Sequence, residues 1–190
     1  SGLGSGFGSS SGGGRSCESR RSSCSGSPGE FEDARIDLVV QGDRIGGSGT
    51  LGLTKSGAGA LSISTANTYT GATVLSGGTT TINSLANVGS ASGIGAGAVG
   101  TGSLVFDGGS LVYAGPAATT NRGFSVTGTG SVFEVQADVT MSGGVSATAG
   151  NFTKAGAGTL TLTGASNSLT SGGDLRVSNG TLALVGAGPD

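Results

Sequence analysis

The chain has no histidine and no tryptophan, and only 4% of its 190 residues are aromatic and 11% charged. Without histidine, the commonest general base, the usual serine and cysteine triads and most zinc or iron sites are excluded. Proline is scarce and glycine follows no third-residue period, which excludes a collagen triple helix. No apolar run approaches the roughly 20 residues that a membrane-spanning helix needs. A net charge of −2 gives no basis for nucleic acid or an anionic membrane as partner. The single methionine is Met141 and no signal peptide heads the chain, which therefore reads as a fragment or a processed segment.

What is abundant is glycine, 42 residues of it. That much glycine usually accompanies disorder, because it loses the most backbone entropy on folding and brings no side chain to bury. Two features oppose that reading here. The mean hydropathy is +0.14, and Val, Ile, Leu and Thr alternate in short runs that suit half-buried strands.

From Gly46 onward the alternations recur at intervals of roughly 7 to 15 residues. They are Leu51 and Leu53, Leu61 and Ile63, Val74, Ile82, Leu104 and Phe106, Leu111 and Tyr113, Phe124 and Val126, Phe133 and Val135, Val139 and Met141, Leu160 and Leu162, Leu175 and Val177, and Leu182 and Leu184. Gly-Gly, Asn-Gly and Ser-Gly separate them and supply positive φ at turns. No stretch has helical spacing with caps, so the expected class is all-β.

Residues 1–45 differ. They hold both cysteines, Cys17 and Cys24, and much of the charge, among Gly and Ser. Too little periodic apolar content is present for a core, so this tail is expected to be disordered, apart from a short strand on Ile36, Leu38 and Val40 capping the first coil. The cysteine pair lacks further metal ligands and reads as incidental.

One unit occurs twice. KAGAGTLTLTGASNSLTSGGDLRVSNGTLAL, from Lys154 to Leu184, is echoed by KSGAGALSISTANTYTGATVLSGGTTTI, from Lys55 to Ile82, with Leu61 and Ile63 aligned on Leu160 and Leu162. A hairpin sandwich or barrel would bury the same alternations. Recurrence of a short motif with short strands and small turns favours a parallel β-helix, with three strands and about 20 to 25 residues per coil and six or seven coils over residues 46–190.

These residues resemble the passenger-associated repeat of bacterial autotransporters. Asn67, Thr68, Tyr69, Thr70 and Gly71 match its NTYTG core; the second copy keeps Asn167 and Thr170 but has Leu169 in place of the tyrosine, and Thr80 stands where the family places an apolar residue. The resemblance implies a right-handed parallel β-helix in a passenger displayed at the cell surface or secreted through the outer membrane. It also implies a translocator β-barrel in the full-length protein and repeats that support translocation and folding. The expected role is structural or adhesive, not enzymatic, with a host or cell-surface glycan or protein, or a second copy, as partner, and with no cofactor, metal or catalytic residue.

Three further constellations bear on function. Asp107, Glu134, Asp138 and Asp174 are the repeat-region carboxylates that a polysaccharide-cleaving β-helix would use, and they read instead as turn and surface residues. GAGAVG, with Gly95, Gly97 and Gly100, matches a dinucleotide fingerprint but lacks the following helix. Thr159, Thr161 and Thr163, echoed by Ser62 and Ser64, would form hydroxyl ladders for sugar or ice if coils stack in register. Thr is also simply a good strand residue facing water.

Overall fold

The computed structural model describes residues 38–40 (backbone only), 50–98, 100–148, 150–168 and 173–186. The chain divides into a unit of residues 1–33 and a unit of residues 34–190. The first unit, with Cys17 and Cys24 and most of the expected tail, lies outside the described residues, as do Ile36, Leu169 and Thr170.

The second unit is built from β1 (Leu38–Val40), β2 (Leu53–Lys55), β3 (Ala60–Ile63), β4 (Thr73–Leu75), β5 (Thr79–Ile82), β6 (Leu104–Asp107), β7 (Ser110–Tyr113), β8 (Ala118–Thr120), β9 (Phe124–Gly128), β10 (Ser131–Val135), β11 (Val139–Met141), β12 (Val145–Ala147), β13 (Phe152–Ala155), β14 (Thr159–Leu162), β15 (Asn167–Ser168), β16 (Leu175–Val177) and β17 (Thr181–Leu184). One 3-10 turn, Thr101–Ser103, precedes β6.

Every strand pairing is parallel, which short loops permit only if the chain winds as a solenoid. Among the described residues three sheets result, of seven strands (β1-β3-β5-β7-β10-β13-β16), six strands (β15-β12-β9-β6-β4-β2) and four strands (β17-β14-β11-β8). The chain visits them in the order six, seven, four, and makes about six coils. Phe124 pairs with Val145, and Val145 with Asn167, so a coil takes about 20 to 22 residues.

The first two coils depart from three strands per coil. β3 and β5 are each followed by a loop that leads back to the six-stranded sheet, so the four-stranded sheet begins only at β8. In the second coil residues 83–100 form an excursion, and its Ile94 and Ala96 are buried.

Alternation sorts each strand into an inward and an outward set. The inward columns supply the core: Leu61, Leu111 and Phe133 in one, Ile63, Ile82, Tyr113 and Val135 beside it, and Val139 under Leu160 opposite. Phe106 and Phe124 of the six-stranded sheet meet Phe133 and Phe152 of the seven-stranded sheet across the interior. Phe106 lies 5.4 Å from Phe124, 5.6 Å from Phe133 and 5.7 Å from Phe152 between ring centroids. The Phe106–Phe124 and Phe106–Phe152 pairs are edge-on and Phe106–Phe133 is tilted, and aromatic pairs of this kind each contribute about 0.5 to 1.5 kcal/mol beyond area burial.

Several expectations need correction. Leu51 lies outside any strand and is exposed, and Val74 faces outward while Thr73 and Leu75 face in. The two motif copies do not occupy the same faces. Lys55 sits in the six-stranded sheet with Leu61 and Ile63 in the seven-stranded one, whereas Lys154 sits in the seven-stranded sheet with Leu160 and Leu162 in the four-stranded one. A motif that describes one corner and its flanking strands fits any corner of a three-sided coil.

Candidate functional surfaces and internal cation sites

The four carboxylates are dispersed. Asp107 ends β6 and accepts hydrogen bonds from Ser76 Oγ and Thr127 Oγ1, each at 3.2 Å. Glu134 lies on another sheet, between Val112 and Ala155 in its ladder. Asp138 stands at the corner before β11, its Oδ1 accepting the Thr159 amide at 2.8 Å. Asp174 stands at the corner before β16. No ladder places two of them side by side.

The glycine-rich 92–97 segment serves packing. Ser92 and Asn67 form an antiparallel bridge, which brings the segment onto the NTYTG stretch of the first repeat. Tyr69, fully buried, exchanges a 2.7 Å hydrogen bond with Thr73 Oγ1, and Thr73 donates to the Ile94 carbonyl. Gly95 has φ +74, and a Cβ there would lie 2.6 Å from Cε2 of Tyr69. A Cβ on Gly97, φ +64, would collide with Nη1 of Arg122. These glycines match a nucleotide fingerprint because two large side chains fill the space that a Cβ would take.

Arg122 itself is fully buried without a carboxylate. Its Nε donates to Ala86 at 2.7 Å, and its Nη2 donates to Gly95 at 2.8 Å and Ala96 at 2.7 Å. These acceptors, and Ser90 at 3.4 Å from Nη2, all belong to the excursion. Burial pulls its pKa below the ordinary arginine value, and the neighbouring Tyr69 raises it in part.

Two lysines are buried in the same manner. Lys55 Nζ donates to the carbonyls of Ser56 and Gly57 at 2.9 Å and of Gly77 at 3.1 Å. Lys154 Nζ donates to Gly156 at 2.7 Å, to Asn179 at 3.0 Å and to Gly158. Sequence reasoning passed over all three cations, since an inward basic residue breaks an apolar alternation. The available signal was the shared K-x-G-A-G opening of both copies.

With these cations internal, Arg176 is the one exposed cation among the described residues, while Asp107, Asp138 and Asp174 are exposed and Glu134 half-buried. The surface is otherwise one of small hydroxyl and aliphatic side chains. On the four-stranded sheet the outward column is Thr119, Thr140, Thr161 and Ala183. The expected hydroxyl ladder therefore exists with other members: Thr161 stacks on Thr140 and Thr119, while Ser62 belongs to a different face.

The family model of the passenger-associated-transport-repeat matches residues 53–82 and 152–184. The chain is also similar to the adhesin BmaC autotransporter of Brucella suis biovar 1 (strain 1330), with 39% identity over 155 residues, 77% of this chain and 4% of that protein. It thus spans a small fraction of the length of the curated relative it matches. No solved structure matches the chain significantly. Each matched segment holds one of the two lysine corners, and in this setting of parallel coils the chain belongs to the passenger-associated-transport-repeat family of bacterial autotransporter passengers.

Proposed function

We propose that this chain is a structural and adhesive segment, non-enzymatic in itself, of a passenger that a β-barrel translocator anchors. Membership of the family makes it part of a surface-displayed protein held at the outer membrane. The observation that carries the adhesive reading is the hydroxyl column of the four-stranded sheet, with a single exposed cation among the described residues. Neutral hydroxyls at the ~4.8 Å spacing of stacked strands suit hydrogen bonding to a glycan or a glycoprotein. The sparse, mostly acidic charge disfavours anionic partners. The relative that shares this sequence pattern carries the word adhesin in its name, which agrees with this reading.

The test uses the full-length protein displayed on cells. Replacing Thr140 and Thr161 by Lys alters only outward positions, so display and protease resistance are expected to persist while attachment to host cells or immobilised glycans falls severalfold. Unchanged attachment at equal display would refute the adhesive role of this face.

A further inference from the structure

The corners at Lys55 and Lys154 share one plan, although the own-coil acceptors differ, Ser56 and Gly57 for Lys55 and Gly156 and Gly158 for Lys154. Each lysine ends the inward column of its strand, and a turn with a positive-φ glycine follows, Gly57 at φ +73 and Gly156 at φ +78. One coil later a second turn stacks on the first. Ser76 N donates to the Lys55 carbonyl at 2.8 Å, and Ser178 N to the Lys154 carbonyl at 2.9 Å. That second turn delivers one more carbonyl to each ammonium, from Gly77 and from Asn179. It closes with a positive-φ glycine that admits no side chain: a Cβ on Gly78 would lie 2.2 Å from the Gly59 carbonyl oxygen and 2.6 Å from Lys55 Nζ, and one on Gly180 would lie 2.4 Å from the Gly156 carbonyl oxygen and 2.5 Å from Lys154 Nζ.

We propose that these corners are backbone-built sites for a monovalent cation, each occupied by the chain's own ammonium and completed only when the next coil docks. Lys55 and Lys154 are thereby latches that hold consecutive coils in register. An ammonium carries three donors, and each site offers three carbonyls, two from its own coil and one from the next. A buried charge is costly in proportion to the hydrogen bonds it lacks, and a lysine in a coil without its successor lacks one of its three. Arginine does not fit the role, because its planar fork does not match a compact cluster of acceptors. Both matched repeat segments, 53–82 and 152–184, run from just before the lysine to just beyond the closing glycine. The repeat is in this sense one latch with the stretch that closes it. The proposal rests on the fold alone and stands whether or not the surface is adhesive.

The test is chemical rescue in the full 190-residue chain. Lys154→Ala removes Cγ through Nζ, which n-propylammonium replaces atom for atom. The substitution is expected to lower the folded-to-unfolded ratio about 5- to 30-fold, and n-propylammonium chloride is expected to restore most of that loss. Sodium or tetramethylammonium chloride at equal ionic strength is expected not to. Lys154→Met, which fills the stem but donates nothing, is expected to be destabilised and not rescued. Three outcomes overturn the latch: a Lys154→Met chain as stable as the parent; equal effects of n-propylammonium and tetramethylammonium on Lys154→Ala; or a Lys154→Ala chain that fails to fold in both salts.

Discussion

At the scale of single residues, Thr80 shows what a polar group in an apolar column costs. It points inward between Leu61 and Leu111, fully buried, and its Oγ1 has no hydrogen-bond partner. A buried, unpaired hydroxyl costs about 1 to 3 kcal/mol, and valine has nearly the same shape. Thr80→Val is therefore expected to raise stability by about 1 kcal/mol or more in urea denaturation, and a neutral or negative change would count against an inward, unpaired hydroxyl. Tyr69 gives a pH dependence. Burial raises its pKa above the ordinary tyrosine value, with the Thr73 hydrogen bond and the Arg122 charge lowering it in part, and burial raises Tyr113 likewise. Both phenols stay protonated in the fold at a pH where the unfolded chain has released its protons. The folded state then holds more protons, and their contribution, complete below pH ~10, is lost as pH climbs above that value. The urea midpoint is expected to fall more steeply from pH 9 to 11 in the parent than in Tyr69→Phe. Comparing the two isolates the phenol from Lys154, whose pKa burial lowers and whose contribution runs the other way. Parallel slopes would show that Tyr69 does not carry the effect.

At the scale of elements, the strands with two large apolar residues were legible in the sequence. Leu104 with Phe106, Phe133 with Val135 and Leu160 with Leu162 all lie in strands with both side chains buried. The strands that escaped notice have weak alternations, such as Ala118 with Thr120 in β8, or a cation among them, such as Phe152 with Lys154 in β13. Their place is set by neighbours in the ladder and not by their own hydrophobicity, a non-local cause that no local pattern records. The same applies to the 83–100 excursion, whose length and glycines read as loop and whose partner is 26 to 36 residues away. Asn121 and the excursion exchange hydrogen bonds, with Val88 N donating to Asn121 Oδ1 at 2.8 Å and Asn121 N to Asn87 Oδ1 at 3.0 Å. Arg122 then closes on the excursion's carbonyls from inside. Arg122→Met is expected to cost about 1 to 3 kcal/mol, because the Ala86, Gly95 and Ala96 carbonyls each lose one of two donors and keep only Thr120 Oγ1, Ser92 Oγ and Gly89 N. Hydrogen exchange is expected to quicken first in residues 86–96, ahead of the four-phenylalanine core. Uniform loss of protection would mean that the excursion is no separate unit of opening.

At the scale of the whole solenoid, stability is a sum over coil interfaces, and the last described coil has one interface instead of two. The contrast is visible within one column. Leu162 is fully buried between Met141 and Leu184, whereas Leu184, in the same inward position one coil on, is 54% exposed. Leu175 at 41%, Val177 at 46% and Val185 at 51% lie on the same edge. Among the described residues, β16 pairs only with β13 and β17 only with β14, so the edge offers free backbone groups together with apolar side chains. Such an edge is a template for another strand, and covering it would contribute about 1.5 to 3 kcal/mol for each large side chain buried. The 190-residue chain is thus expected to associate with itself through this edge, with a weight-average mass that rises with concentration in sedimentation equilibrium. A charge placed on the edge opposes strand addition at little cost to the coils beneath, since Leu184 is already half in water. Leu184→Lys is expected to shift association to severalfold higher concentration while leaving the urea midpoint of the monomer within about 0.5 kcal/mol of the parent. A parent chain that stays monomeric at every concentration would show that these four side chains remain in water without a partner, and that the open edge is protected by its shape and not by a contact.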